Sequence, residues 1–110
     1  MALTHAQPGQ SVDVRPYGAS IADAQSIALF KSDGLEVMRL AFPAGHHMPA
    51  HLVAGEITIH CLEGSVNVQV GDAPAVLLPA GHLMYVPGGV SHALTAVQAC
   101  SVLVTLALRA

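Results

Sequence analysis

Short apolar runs recur along most of the chain, and turn residues separate them. In residues 65–70, valines alternate with serine, asparagine and glutamine, which is the period of two typical of a strand with one buried face. The segments EITIHCL (56–62) and SVLVTLAL (101–108) carry apolar residues on both faces, which indicates strands covered on both sides. No long helical pattern interrupts these runs, so the sequence predicts an all-β protein.

The turn residues divide these runs into strands at short, regular spacing. Residues 26–32 and 35–42 flank Asp33-Gly34, one of the strongest short signals for a β-hairpin. Further runs end at Glu63-Gly64, Gly71-Asp72, Pro79-Ala80-Gly81 and Pro87-Gly88-Gly89. Many short strands with such turns predict a closed barrel or a double-sheet jelly roll. We place this single domain at residues 26–110. Residues 1–25 are turn-prone and form an arm, which could add a strand to the barrel or to a partner.

Composition adds expectations about partners and compartment. A chain of 110 residues that is 53% hydrophobic and 10% charged carries more apolar side chain than one small barrel usually hides, so we expect a homodimer. The net charge of −3 offers no basic patch for nucleic acid or an anionic membrane. The start of the chain is unlike a leader peptide, and no apolar stretch is long enough to span a bilayer. We therefore expect a cytoplasmic protein.

Two motifs contain the histidines of greatest interest among the seven in the chain. In the second motif Gly81 makes a turn, a short strand follows, Pro87 to Gly89 reverse the chain, and His92 opens the returning strand. The first motif runs from Gly45 through His51 to the turn Leu62-Glu63-Gly64. Their spacing resembles the two motifs of the cupin superfamily, which implies a jelly-roll barrel with both histidines pointing into it.

The resemblance also implies a metal site, although this sequence departs from the usual ligand pattern. Cupins place a second histidine and an acid or amide after the first, at positions occupied here by Val53 and Ile57. His47 has the same strand parity as His51 and could join His51 and His92 if Pro49 bends the chain. Such a site would leave open positions and suit a divalent transition metal such as zinc, iron, nickel or copper.

The strand after His51 has two conceivable registers. The register anchored on the glycines points Ile57, Ile59 and Cys61 inward, and we prefer it. A shorter turn at Ala54-Gly55 would instead turn Glu56 and His60 inward. In the preferred register the predicted pocket is lined by apolar side chains and one thiol: Val53, Ile57, Ile59, Cys61, Phe42 and Met84.

These features support three readings of different classes. One is a metal-dependent enzyme of the dioxygenase or isomerase type, although no inward acid is apparent to act as a general base. The alternative is a binding or sensing module with no metal, in which His51 and His92 orient a small molecule in an apolar pocket. A purely interacting barrel is the least favoured, because buried imidazoles without partners are costly.

Overall fold

Nine strands form two antiparallel sheets. The computed structural model describes residues 5–108. One sheet has the order β1-β2-β9-β4-β7 and the other β3-β8-β5-β6. The strand bounds are β1 Ile27–Lys31, β2 Leu35–Phe42, β3 His47–His51, β4 Ile57–Glu63, β5 Ser65–Val70, β6 Val76–Pro79, β7 Leu83–Val86, β8 His92–Ala96 and β9 Cys100–Ala107. The predicted all-β, double-sheet architecture is confirmed.

The core lies between the two sheets and follows from strand alternation. Val66 and Val68 are fully buried, while Gln69, which follows Val68, is exposed. From the other sheet, β4 and β9 contribute alternate apolar residues to the same core. Each fully buried aliphatic side chain stabilises the fold by roughly 1.5–3 kcal/mol, so this sandwich supplies the main driving force for folding.

Gly64 carries the chain from one sheet to the other. It is the single residue between β4 and β5, and its φ of +74° lies in the left-handed region. A Cβ at this position would collide with the carbonyl of Ala99 and with Cys100. The turn predicted at Glu63-Gly64 is therefore one that only glycine fits.

The arm packs against the outer face of the five-stranded sheet. Its described part, residues 5–25, contains a 3-10 helix over Gly18–Asp23 and no strand. The backbone N–H groups of Tyr17 and Gly18 donate to the two Glu63 carboxylate oxygens at 2.8 and 3.0 Å. The first of these oxygens also accepts from Ser101 Oγ at 2.6 Å. Glu63 thus fixes the arm to the barrel.

Arg39 is a buried arginine beside the Glu63 carboxylate on this outer face. It is 3% exposed and lies 3.3 Å from the Glu63 carboxylate, while its Nη2 also donates to Ser101 Oγ and to the carbonyl of Arg15. Its guanidinium stacks 3.8 Å above the centre of the Tyr17 ring. Burial acts to raise the pKa of Glu63, but the hydrogen bonds from Ser101, Tyr17 and Gly18, together with Arg39, outweigh it and lower that pKa. We call Arg39, Glu63, Ser101 and Tyr17 the outer cluster.

Within residues 5–108, no helix is both long enough and apolar enough to cross a membrane.

Candidate functional site

The strand β4 adopts the glycine-anchored register. Ile57, Ile59 and Cys61 are 3%, 1% and 0% exposed and form part of the core. Glu56 is exposed, and His60 pairs with Leu83 and Leu103 on the outer face of the sheet. The alternative register, which would have turned Glu56 and His60 inward, is not the one that forms, because it would remove the two isoleucines and Cys61 from the core.

Two histidines meet on the inner face of the four-stranded sheet. His51 at the end of β3 is the direct partner of His92 at the start of β8. Their ring centroids are 4.4 Å apart with an interplanar angle of 57°. His92 is 4% exposed, whereas His51 is exposed. The histidine pair therefore extends from the mouth of the barrel to its interior, as the two motifs predicted.

Local backbone carbonyls fix the orientation of both rings. His51 Nδ1 lies 3.2 Å from the carbonyl oxygen of Pro49, and His92 Nδ1 lies 3.3 Å from that of Val90. A carbonyl oxygen can only accept, so these two contacts favour the tautomer with the proton on Nδ1 and the lone pair on Nε2. Neither Nε2 has a hydrogen-bond partner among the described side chains and backbone. The histidine pair thus presents two free acceptor nitrogens.

The environment of His92 favours the neutral ring. Burial lowers its pKa because a charged imidazolium loses hydration there, and the nearby His51 ring lowers it further. The carbonyl of Val90 acts in the opposite direction but does not reverse the shift. His92 is therefore available as a lone-pair donor at neutral pH.

A cavity of about 90 Å³ opens between the sheets beside the histidine pair. Apart from the two imidazoles, its walls are apolar, and no carboxylate of the described chain lines it. Ligand pockets in proteins usually measure roughly 300–1,000 Å³, so this cavity accepts a small molecule or one end of a larger one. Its lining comprises Met38, Leu40, Met48, His51, Val53, Ile57, Ile59, His92, Leu94, Val104 and Leu106.

His47 does not join the histidine pair. It pairs with Thr95, and its Nδ1 lies 2.8 Å from the Thr95 hydroxyl, whereas Met48 pairs with the buried Leu94. The predicted irregularity near Pro49 does occur, as a register shift between Met48 and His51. This extra residue reverses the parity, so His47 and His51 lie on opposite faces and the expected three-histidine site does not form.

Three other residues predicted for the pocket belong to the core instead. Phe42 stacks on His46, with ring centroids 4.7 Å apart, and Met84 packs against the core beside its strand partner Ile59. Cys61 is fully buried, and burial raises the pKa of its thiol. Burial also raises the pKa of the neighbouring Cys100 to about 11. A reactive thiolate is therefore strongly disfavoured at both cysteines.

One wall of the cavity was not among the predicted pocket residues. Met38 and Leu40 on β2 face inward because they alternate with Arg39, and Val104 and Leu106 on β9 face the same space. The alternation of apolar, charged and apolar residues over Met38, Arg39 and Leu40 was a signal that could have predicted the inward position of Met38 and Leu40. For β9, which is apolar on both faces, no such signal existed.

Two of the larger hollows lie outside the barrel, between the arm and β1. Their volumes are about 510 and 300 Å³, and amide, hydroxyl and aliphatic side chains form most of their walls. Neither brings two imidazoles or two acids together. The smaller cavity inside the barrel, where two rings converge, is therefore the candidate site.

The donor set at the candidate site is incomplete for a conventional catalytic metal. Within residues 5–108, three or more histidine, cysteine or acidic side chains do not come together anywhere, whereas catalytic zinc sites use three such ligands. The histidine pair supplies two. We therefore derive no reaction step through a metal from these residues alone.

Comparison with known proteins agrees with the fold. The cupin domain family matches residues 38–106. A cupin superfamily protein from Desulfitobacterium hafniense is similar at 18% identity and a TM-score of 0.77, over 99% of this chain and 100% of its own. KdgF from a Halomonas species is similar at 16% identity and a TM-score of 0.69, over 77% of this chain and 78% of its own.

A third structure has a named activity. The DMSP lyase DddQ from Ruegeria pomeroyi is 25% identical with a TM-score of 0.68, over 74% of this chain and 45% of its own. The sequence has no match among curated proteins. The family match covers well over half of the chain and includes the motif residues His51 and His92, and the topology agrees with it: the chain belongs to the cupin family.

Proposed function

We propose that this protein binds a small, largely apolar molecule in the cavity between its sheets, and that His51 and His92 hold the polar group of that molecule. The observation that carries this proposal is the pair of free Nε2 atoms at the edge of an otherwise apolar space. A ligand that donates a hydrogen bond to these nitrogens adds polar contacts to the affinity that it gains from burial against the apolar walls.

The chemistry of the cavity selects the class of ligand. A neutral imidazole with its proton on Nδ1 only accepts hydrogen bonds at Nε2, so the ligand carries an O–H or N–H donor. The apolar walls disfavour a charged group, because the walls offer no opposite charge to compensate for its desolvation. We expect small uncharged alcohols, phenols and amides to bind, and their methylated analogues without a donor to bind less well.

A thermal-shift panel tests this proposal. Uncharged donors are compared with their matched methyl ethers and carboxylates, using the wild type, His51→Ala and His92→Ala. His82→Ala, a change in an exposed turn, is the control. We expect stabilisation by donors in the wild type and the control, and its loss in both pair variants. Equal stabilisation by ethers, or unchanged stabilisation in both variants, would contradict the proposal.

A metal-dependent enzyme is the second candidate. It is favoured by the Nδ1 contacts with backbone carbonyls, since this arrangement commonly orients imidazoles that bind metals, and by the similarity to a lyase. A bound divalent zinc, iron, nickel or copper ion would supply a Lewis acid. His51 and His92 would hold it, and within residues 5–108 no other titratable side chain lines the cavity.

Elemental analysis of untagged protein distinguishes the two candidates. Near-stoichiometric metal in the wild type that is lost in both His51→Ala and His92→Ala supports the enzyme. A wild type that retains none of the four metals after loading and buffer exchange contradicts it and leaves the metal-free binding module.

A further inference from the structure

Two loops flank the histidine pair. The first loop, residues 52–56, follows His51, and the second loop, residues 87–91, precedes His92. The ladder between β3 and β8 is irregular just before His51, so the regular part of the ladder does not extend to this ring. The position of His51 relative to His92 therefore depends also on how closely the two loops approach each other.

The two loops make direct backbone contact. The Gly89 N–H donates a hydrogen bond to the Val53 carbonyl at 2.8 Å. Beside this bond, Gly88 lies so close to the first loop that a Cβ at its position would collide with the carbonyl oxygen of Ala54. The backbone of Gly88 is not left-handed, so the close approach of the loops, and not the conformation of this residue, requires a glycine.

The other side of the first loop packs just as closely against β9. A Cβ at Gly55 would collide with the carbonyl oxygen of Ala107, and the Ala107 N–H donates to the Glu56 carbonyl at 2.9 Å. Two glycine contacts thus hold the first loop between the second loop and β9. The first loop carries Val53, which lines the cavity, so these contacts position a wall of the candidate site together with the His51 ring.

We propose that Gly88 is a positioning residue for the histidine pair, because the space beside it lets the first loop hold His51 against His92. The effect on ligands rests on the proposed function, whereas the approach of the two rings does not. Any side chain at this position forces the loops apart, and a binding site tolerates displacement of its groups by only about 0.5 Å. A methyl group at Gly88 therefore separates the rings and weakens ligand binding.

Nuclear Overhauser spectra of the carbon-bound ring protons measure the approach of the two imidazoles. The ring centroids are 4.4 Å apart, so the wild type should show a cross-peak between the rings. Gly88→Ala should lose this cross-peak and most of the thermal stabilisation by uncharged alcohols. Gly34→Ala is the matched control, since the backbone of Gly34 is not left-handed and a Cβ there meets no atom within 4 Å. This control should keep both signals.

Two further measurements separate positioning from general stability. Glu63→Ala, which destabilises the barrel at the outer cluster, should keep the cross-peak between the rings. Hydrogen exchange at the Gly89 amide needs no substitution, and its bond to the Val53 carbonyl should make exchange slow in the wild type.

An unchanged cross-peak in folded Gly88→Ala, loss of the cross-peak in Glu63→Ala, or rapid exchange at the Gly89 amide of the wild type would each overturn the assignment. A wild type that shows the cross-peak and slow exchange, but no stabilisation by alcohols, would contradict the proposed function and leave the positioning role intact.

Discussion

The outer cluster and the histidine pair are two polar groups on apolar strands, and they differ in how far their hydrogen bonds are satisfied. Both Glu63 oxygens accept hydrogen bonds from the arm or the barrel, and Arg39 lies within hydrogen-bonding distance of three acceptors. The histidine pair instead leaves two Nε2 atoms beside a cavity. In the outer cluster the Nε of Arg39 is buried without a partner, but the other polar atoms are densely bonded. Such a network stabilises one conformation, whereas the histidine pair is open to a ligand at the cavity. The comparison assigns a structural role to the first and a functional role to the second.

Removing the acid of the outer cluster should have the largest effect on stability. Glu63→Ala leaves the buried Arg39 without its counter-charge and removes the acceptor of two backbone N–H groups. Breaking a buried ion pair in this way costs about 3–5 kcal/mol. Urea denaturation should show this loss. The control Asp13→Ala removes an exposed acid that pairs with Arg15 and should leave the midpoint unchanged. A midpoint for Glu63→Ala equal to that of the control would refute the structural role.

Acid should have the next largest effect on stability, because it weakens the outer cluster. The folded-state pKa of Glu63 lies below its ordinary value of 4.5, so the unfolded chain binds this proton first as the pH falls. The stability that Glu63 contributes is therefore complete above about pH 4.5 and is lost as the pH falls through the lower folded value. Denaturation midpoints measured from pH 7 to 3 should decline less steeply in Glu63→Gln than in the wild type. Parallel declines would show that Glu63 is not responsible.

Replacing a member of the histidine pair should cost far less stability. His92 is buried and its ring makes one hydrogen-bonding contact, with the Val90 carbonyl, so His92→Leu removes that contact and adds apolar surface. We expect a change of at most about 1 kcal/mol, in either direction, with complete loss of stabilisation by alcohols. A loss as large as that of Glu63→Ala, in the same denaturation experiment, would place His92 among the structural residues and remove the contrast.

The sequence was sufficient for much of this comparison. Alternation and turn residues predicted the hairpin and the double sheet, because each strand has its own local signal. The resemblance of the two motifs implied that His51 and His92 point into the barrel, but not that they are direct strand partners. The outer cluster had a weaker signal, a single arginine in the apolar run LEVMRLAF, but its partners come from the arm and β9 and depend on tertiary packing.

His47 shows why the rest of the site could not be predicted. Counting in steps of two placed it on the face of His51, and the irregularity at Pro49 was expected to bring the two rings together. The extra residue instead reverses the parity. A pattern of alternation identifies the face of a residue only while the ladder is regular, so a bulge inside a motif can change a ligand set without changing the motif.

Disruption of the predicted homodimer should have the smallest effect on the folded chain itself. The homodimer expected from composition remains a prediction, and we propose that it uses the outer face of β7, where Leu83 and Tyr85 are 65% and 57% exposed. Light scattering should give twice the mass of one chain for the wild type, and the mass of one chain for the double variant Leu83→Asp/Tyr85→Asp. Leu77→Asp, at a site 53% exposed on the other sheet, should remain dimeric. A monomeric wild type would contradict the prediction.

The protonation of the two rings is the most direct test of the central claim that the histidine pair presents free Nε2 atoms. Long-range proton–nitrogen correlation spectra of labelled protein distinguish the two neutral tautomers, and at about pH 8 an ordinary histidine, with a pKa of about 6.5, is neutral. We predict Nδ1–H tautomers for His51 and His92, with Nε2 signals that shift when an alcohol is added. Nε2–H tautomers in both rings, or Nε2 signals that the alcohol does not shift, would contradict this claim.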